Sequence, residues 1–266
     1  MNYLLGDWEI IQSRIRRSQA LYLLLDYDGT LTPIVARPEE ANCSPEVRVL
    51  LEELRDFPNV LLAVISGRSL DDLRAKVRVS GITYVGNHGL EIENSAGIHR
   101  KRLSPARERD LAKIKQDLEQ RLRPVAGIFL EDKGTILAVH YRNVPAGYSL
   151  QVQRIVKEAL KGWEDHWQTI SGKKVIEIQP HMDFNKGKTV RELLSGAPFP
   201  GLLSIYVGDD QSDENAFRAL PDKGISILVG PGSTSSAAEY FLSDPSEVQG
   251  FLKRCVEIWK SKKSRF

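Results

Sequence analysis

Only two cysteines, Cys43 and Cys255, occur in 266 residues. That excludes a disulfide framework, and two thiols alone make no metal site. Charge of one sign is also missing: 37 Lys and Arg stand against 35 Asp and Glu, a net charge of +2. So balanced a chain makes no electrostatic case for nucleic acid or an acidic membrane surface. The basic clusters at Arg14-Ile-Arg16-Arg17 and Lys260-Ser-Lys-Lys-Ser-Arg265 lie near the termini and read as solvated faces. No apolar run approaches the ~20 residues that span a bilayer. The start, Met1-Asn-Tyr-Leu-Leu-Gly-Asp7, lacks the basic stretch and long apolar core of a secretion signal. The sequon Asn42-Cys43-Ser44 therefore carries no weight. There is no internal repeat and no low-complexity segment. These absences predict a cytoplasmic protein with no nucleic acid and no membrane as partner, and a monomer is expected.

What is present is a globular balance, 41% hydrophobic and 27% charged, in a chain long enough for one large domain or two modest ones. The organising stretch is Leu21-Tyr-Leu-Leu-Leu-Asp26-Tyr-Asp28-Gly-Thr-Leu31. Its five leading apolar residues are too few for a helix and read as a strand buried on both faces of a parallel sheet. In extended chain, positions i and i+2 point the same way. Asp26 and Asp28 would then project together from the strand's C-terminal end, the edge at which open α/β sheets bind ligands. Two like charges so close are costly unless a cation joins them, and a hard ion such as Mg2+ suits carboxylate oxygens.

The same pattern recurs. The apolar run 60–65 stops at Ser66-Gly67-Arg68, 82–85 at Gly86-Asn87-His88-Gly89, and 202–207 at Gly208-Asp209-Asp210-Gln-Ser-Asp213-Glu214. Helices are expected at 7–19, 45–57, 69–78, 186–195 and 245–260, and further strands at 225–229 and 240–242. This alternation predicts an α/β doubly wound, Rossmann-like parallel sheet. From 104 to 182 the rhythm becomes αββαββ: helix 105–122, strands 128–131 and 135–141, helix 148–161, strands 167–170 and 174–178 turning at Ser171-Gly172. That predicts an α+β unit with an antiparallel sheet, inserted into a core made of 1–103 and 183–266.

In a parallel sheet the four polar stops would share one rim. Acidic residues at a helix start are favoured by its dipole, but three aspartates and a glutamate within 209–214 exceed what capping needs. Joined by Asp26, they would repel unless they held a cation, so Asp26, Asp28, Asp209, Asp210 and Asp213 are the expected Mg2+ ligands. Neither acidic cluster has EF-hand spacing. Asn185-Lys186-Gly187-Lys188-Thr189 is no phosphate loop, because Met182 stands where the first glycine of that motif belongs. A nucleophilic-serine elbow is absent as well. Lys186 remains a point charge at a helix start, suited to a phosphate.

Together these residues form a phosphoryl-transfer kit. Asp26 would attack phosphorus, while Lys186, Ser66 and the cation hold the equatorial oxygens. Asp28 would protonate the leaving alcohol and then take a proton from water. A carboxylate in that place favours hydrolysis over a stable phospho-switch.

The sequence resembles the haloacid dehalogenase-type phosphohydrolases, whose four motifs appear in order as Asp26-Tyr-Asp28-Gly-Thr, Ser66-Gly-Arg68, Asn185-Lys186-Gly187 and Gly208-Asp209-Asp210-x-x-Asp213-Glu214. Across nearly its whole length it is similar to the trehalose-6-phosphate phosphatases within that superfamily. The resemblance implies a core with an αββαββ cap and Mg2+-dependent hydrolysis of trehalose 6-phosphate. It implies that Arg68, Asn87 and His88 bind substrate on the core. It also implies that Glu131, Lys133 and Glu177 read the sugar from the cap, with His140 and Arg142 beside them. One departure is the second lysine after Gly187, which leaves Lys188 as a fallback for the phosphate role. No synthase domain is appended, so a free-standing phosphatase is expected. The alternatives are another sugar phosphate, such as sucrose 6-phosphate or mannosyl-3-phosphoglycerate, or a non-catalytic protein that binds sugar phosphates.

Overall fold

The computed structural model describes residues 1–35, 37–172, 174–181, 184–232 and 235–263. The chain divides into two compact units, Met1–His99 with Phe184–Phe266 and Arg100–Asp183.

In the first unit the strands are β1 (Asn2–Tyr3), β2 (Ala20–Asp26), β3 (Val60–Ile65), β4 (Thr83–Gly86), β5 (Glu91–Asn94) and β6 (Gly97–Arg100), then, after the inserted unit, β11 (Leu202–Gly208), β12 (Ile225–Val229) and β13 (Tyr240–Leu242). Among the described residues they form one nine-stranded sheet in the order β1-β13-β12-β11-β2-β3-β4-β5-β6. Every pairing from β1 through β4 is parallel. The pairing of β4 with β5 is antiparallel. The β5 and β6 strands carry no apolar run and were not expected. Their four-residue stretches Glu91-Ile-Glu-Asn94 and Gly97-Ile-His-Arg100 lie at the sheet's border, where polar side chains are tolerated.

All seven residues of β2 are buried, as a central strand requires. Leu21, Leu23 and Leu25 join Val60, Leu62, Val64, Leu203, Ile205 and Val207 in one core cluster. Tyr22 and Leu24 join Ala63, Ile65 and Tyr206 in the other. The alternation is the pleat itself, period two. Helices α1 (Trp8–Arg17), α2 (Pro45–Arg55), α3 (Leu70–Val77) and α8 (Pro245–Lys263) cover the first face through Ile11, Ile15, Leu51, Leu54, Leu73 and Phe251. Helices α6 (Lys186–Ser195) and α7 (Glu214–Phe217) cover the second through Val190, Ala216 and Phe217. The result is a three-layer, doubly wound α/β unit. Truncating one of these leucines to Ala typically costs about 2–5 kcal/mol. No described helix is long and apolar enough to cross a membrane.

The second unit contains α4 (Pro105–Leu122), β7 (Phe129–Asp132), β8 (Leu137–His140), α5 (Ser149–Ala159), β9 (Trp167–Gly172) and β10 (Val175–Pro180). Its four-stranded sheet has the order β7-β8-β10-β9, antiparallel throughout. Leu137, Val139, Ile176 and Ile178 pack with Leu111, Leu118, Val152 and Val156 from the helices. One expectation fails here. Ser171 and Gly172 are not a turn but strand residues paired with Ile176 and Val175. The reversal comes later, where Lys174 takes a left-handed conformation with φ 66°.

Candidate active site

Because β11, β2, β3 and β4 are parallel neighbours, the residues after each strand emerge along one rim of the sheet. Asp26 is the last residue of β2 and is buried. Lys186, the first residue of α6, brings its Nζ to 2.6 Å from Asp26 Oδ1 and 2.6 Å from Asp213 Oδ1. All three side chains are at most 6% exposed. A cation at a helix start opposes the helix dipole, and here two buried carboxylates offset that cost. Asn185 caps the helix, its side chain accepting from Lys188 N at 3.0 Å. Lys188, the fallback, is thereby placed with its backbone in the cap.

Asp213 is the most heavily bonded carboxylate of the rim. Its Oδ1 accepts from Lys186 Nζ and from the Tyr206 hydroxyl at 2.6 Å. Its Oδ2 accepts from the backbone N–H groups of Asp209 and Asp210 at 3.1 and 3.0 Å. Four donors match the roughly four lone-pair sites of a carboxylate. Asp213 therefore fixes Lys186 and the 209–210 turn together. Tyr206 was missed by the sequence reading, although a hydroxyl-bearing aromatic inside a buried strand needs a partner and so announces one.

Carboxylate oxygens of Asp26, Asp209 and Asp213 all lie within 4.8 Å of one another. Hard oxygen donors so crowded fit a divalent cation such as Mg2+. Burial chiefly, with the neighbouring charges of Asp213 and Asp209, pushes the Asp26 carboxyl well above its ordinary value against the pull of Lys186. Burial works against the charge on Lys186, but Asp213 and Asp26 together hold its pKa above the usual lysine value. Asp28 and Asp210, expected as ligands, contribute no carboxylate to this group. Asp28 is instead turned onto Arg68, which donates to both of its oxygens at 2.7 Å. Asp210 caps a short helical turn, accepting from Gln211 N at 2.7 Å. The two aspartates of β2's exit thus pair with different basic side chains, Asp26 with Lys186 and Asp28 with Arg68.

Gly29, between them and the rest of the loop, has φ +82°, and a Cβ there would run into the Asp209 carboxylate. Only glycine meets both conditions.

Ser66 follows β3, is buried, and its Oγ accepts from Arg68 N at 3.1 Å. That leaves the hydroxyl proton to be donated elsewhere. The 86–89 loop is strapped to the same segment: Asn87 N donates to Arg68 O at 2.7 Å and His88 N to Ser66 O at 3.0 Å. Asn87 and His88 adopt φ of 48° and 56°, followed by Gly89 at 112°. Three successive left-handed residues persist only where the surroundings over-determine them. Glu91, also missed, contributes by accepting from Leu70 N at 2.8 Å and Asn87 Nδ2 at 3.1 Å.

In the second unit, Glu131 and Glu177 both pair across from Ala138, so they stand in one row on the sheet face opposite the apolar core. Lys133 Nζ lies 2.7 Å from Glu177 Oε1, with side chains only 6% and 9% exposed. Gln179 Nε2 donates to Glu177 Oε2 at 3.1 Å. His140 Nε2 lies 2.9 Å from Glu131 Oε2, and the Phe129 ring lies 5.5 Å from the His140 ring. A solvated hairpin turn, which composition favours for Glu131 and Lys133, would not bury such a pair. Arg142 lies exposed in the turn after β8.

Residues 24–246 match the sequence profile of the family described as Trehalose-phosphatase. Trehalose-phosphate phosphatase B of Arabidopsis thaliana is 34% identical over 261 residues, covering 92% of this chain and 68% of that protein. Probable trehalose-phosphate phosphatase 2 of Oryza sativa subsp. japonica is 36% identical, with 92% and 70% covered. Among solved structures, the C-terminal domain of C. albicans trehalose-6-phosphate phosphatase superposes with a TM-score of 0.81 at 23% identity, covering 94% of this chain and 96% of that one. With its haloacid dehalogenase-type core and inserted α+β unit, the chain belongs to the trehalose-phosphatase family and is a phosphoric monoester hydrolase.

Proposed function

We propose that the protein is a cytoplasmic, monomeric, Mg2+-dependent phosphatase that hydrolyses trehalose 6-phosphate to trehalose and phosphate through an aspartyl-phosphate on Asp26. The observation that carries this reading is the convergence of Asp26, Lys186, Asp213 and the half-buried Asp209 from three separate segments into one knot at the strand ends.

In the first step a carboxylate oxygen of Asp26 attacks phosphorus and the bond from phosphorus to the sugar oxygen breaks. Asp28 gives that oxygen a proton as it leaves, so the sugar departs as an alcohol. In the second step water attacks phosphorus, Asp28 takes a proton from it, and the bond from phosphorus to Asp26 breaks. Orthophosphate, the Asp26 carboxylate and a reprotonated Asp28 result. Lys186 and the Ser66 hydroxyl donate to the phosphoryl oxygens throughout. Asp26 and Asp209 would hold the Mg2+ with Asp213 bracing them, and the ion would supply positive charge to the transferring group. Arg68, Asn87 and His88 shape the core side of the substrate site. The sugar is read by Glu131, Lys133, His140, Arg142 and Glu177. Carboxylates and an ammonium preset in pairs can exchange those partners for sugar hydroxyls, and an ester lacking the hydroxyls leaves charges poorly matched.

Phosphate release from trehalose 6-phosphate, sucrose 6-phosphate and mannosyl-3-phosphoglycerate, with Mg2+ and after chelation, tests the proposal. The trehalose ester should be turned over fastest, and chelation should abolish the activity. Glu131→Ala should lower the preference for that ester by about 10–100-fold, the worth of one hydrogen bond to a charged group. A preference unchanged by Glu131→Ala would remove the sugar-reading role, and activity indifferent to chelation would remove the ion.

A further inference from the structure

Arg68 follows β3 with its side chain 11% exposed, and four of its five N–H donors are engaged. Nε and Nη2 donate to Asp28 Oδ2 and Oδ1 at 2.7 Å each. Nη1 donates to Asp72 Oδ2 at 2.6 Å, and Nη2 also reaches the Pro38 carbonyl at 2.9 Å. The guanidinium stands 5.4 Å from the centre of the Tyr27 ring. Asp72 sits in the first turn of α3, where its backbone N–H donates to Ser69 Oγ at 3.3 Å.

Asp28 itself lies past the end of β2, held by a single isolated bridge to Thr32, with its side chain 41% exposed. Packing does not set its rotamer. The guanidinium fork does, because a bidentate pair fixes the position and the plane of a carboxylate at once. Two of about four lone-pair sites are used in the process, which leaves others for a proton. Asp72 then holds the far side of the guanidinium, four residues along the same helix start.

We infer that Arg68 and Asp72 are positioning residues for phosphoryl transfer, a carboxylate–guanidinium–carboxylate strut that aims the proton-transferring oxygen of Asp28. The inference rests on the proposed role of Asp28 as acid to the leaving alcohol. It gives Arg68 a task other than direct contact with substrate, which would require three charge-assisted hydrogen bonds to break. It also brings in Asp72, outside every recognised motif of the chain.

The test is the dependence on leaving group. An alkyl phosphate needs a proton on its departing oxygen, whereas 4-nitrophenyl phosphate does not. A mis-aimed acid should therefore harm one and spare the other. kcat/KM, which reports only on steps up to phosphoryl transfer, is to be measured with trehalose 6-phosphate and with 4-nitrophenyl phosphate. β-Glycerophosphate replaces the former should the sugar assignment fail. Arg68→Met should lose about 100-fold on the alkyl ester, as expected for a reacting group displaced by about 1 Å, and only a few-fold on the aryl ester. Arg68→Lys, charged but without the fork, should fall with it. Asp72→Asn, isosteric and half exposed, should lose about tenfold on the alkyl ester alone, and should add nothing to Asp28→Asn. Equal losses on both esters, or none on the alkyl ester, overturn the inference and leave Arg68 a loop fastener. The reading on which it rests fails separately, if Asp26→Asn still releases phosphate from 4-nitrophenyl phosphate at the wild-type rate.

Discussion

Asp26→Asn is expected to lower phosphate release by about 10⁴-fold or more while raising the melting temperature of the chelator-treated protein. The first effect follows from losing the nucleophile, since removing one member of a nucleophilic machine costs nearly as much as removing it all. The second follows from electrostatics. Asp26 is buried beside Asp209 and Asp213 with one lysine to share. Burial and those neighbours push its pKa well up in the fold. A carboxyl raised in this way stabilises the fold fully below its unfolded pKa, and that contribution is lost as pH rises through the folded value. An amide cannot ionise, so the Asp26→Asn variant escapes the loss and still offers Lys186 an acceptor. Each kcal/mol regained is worth about 2–4 °C in a chain of this size. Calorimetry at neutral pH and at pH 4 checks the sign: the variant's advantage should be present at neutral pH and should vanish in acid. A less stable but active variant would contradict both halves.

Lys186→Met should be the most damaging single change to stability at the site. The ammonium is 3% exposed and is shared by two buried carboxylates. Removing one partner of such a pair leaves uncompensated buried charge and costs about 3–5 kcal/mol, on the order of 10 °C in melting temperature. The loss should be largest at neutral pH and should shrink towards pH 4, as the Asp26 carboxyl, whose pKa burial pushes up, takes up a proton. With this donor lost from the transferring phosphoryl group, kcat/KM should fall by about 10²–10³-fold as well. A variant that melts with the wild type at neutral pH would mean that the carboxylates do not depend on this lysine.

Much of the rim was legible in the sequence because each element announces itself locally: an apolar run, an abrupt polar stop, a helix start. Asp26, Ser66, Asn87, Lys186 and Asp209 stand at such stops, and parallel strands then bring them to one edge. The charge partners were not legible. Asp28 and Arg68 lie 40 residues apart, and their pairing depends on β2 and β3 being neighbours, so nothing local announces it. Asp72 could have been found as an i,i+4 partner of Arg68, and Tyr206 as a polar tip inside an apolar strand. The buried Lys133–Glu177 pair was beyond composition, which sees only a charged hairpin. Gly172 misled because glycine signals a turn, whereas here it sits in a ladder opposite Val175.

The account turns on a phosphoryl group carried by Asp26. Its most direct test mixes the Asp28→Asn variant, able to accept phosphate from 4-nitrophenyl phosphate but slow to hand it to water, with that ester and Mg2+, followed by acid quench and peptide mapping. The expected result is a base-labile phosphate on the peptide containing residue 26, at close to one per chain, and none in Asp26→Asn. Phosphate release with no labelled peptide at any quench time, or a label on another residue, would contradict it.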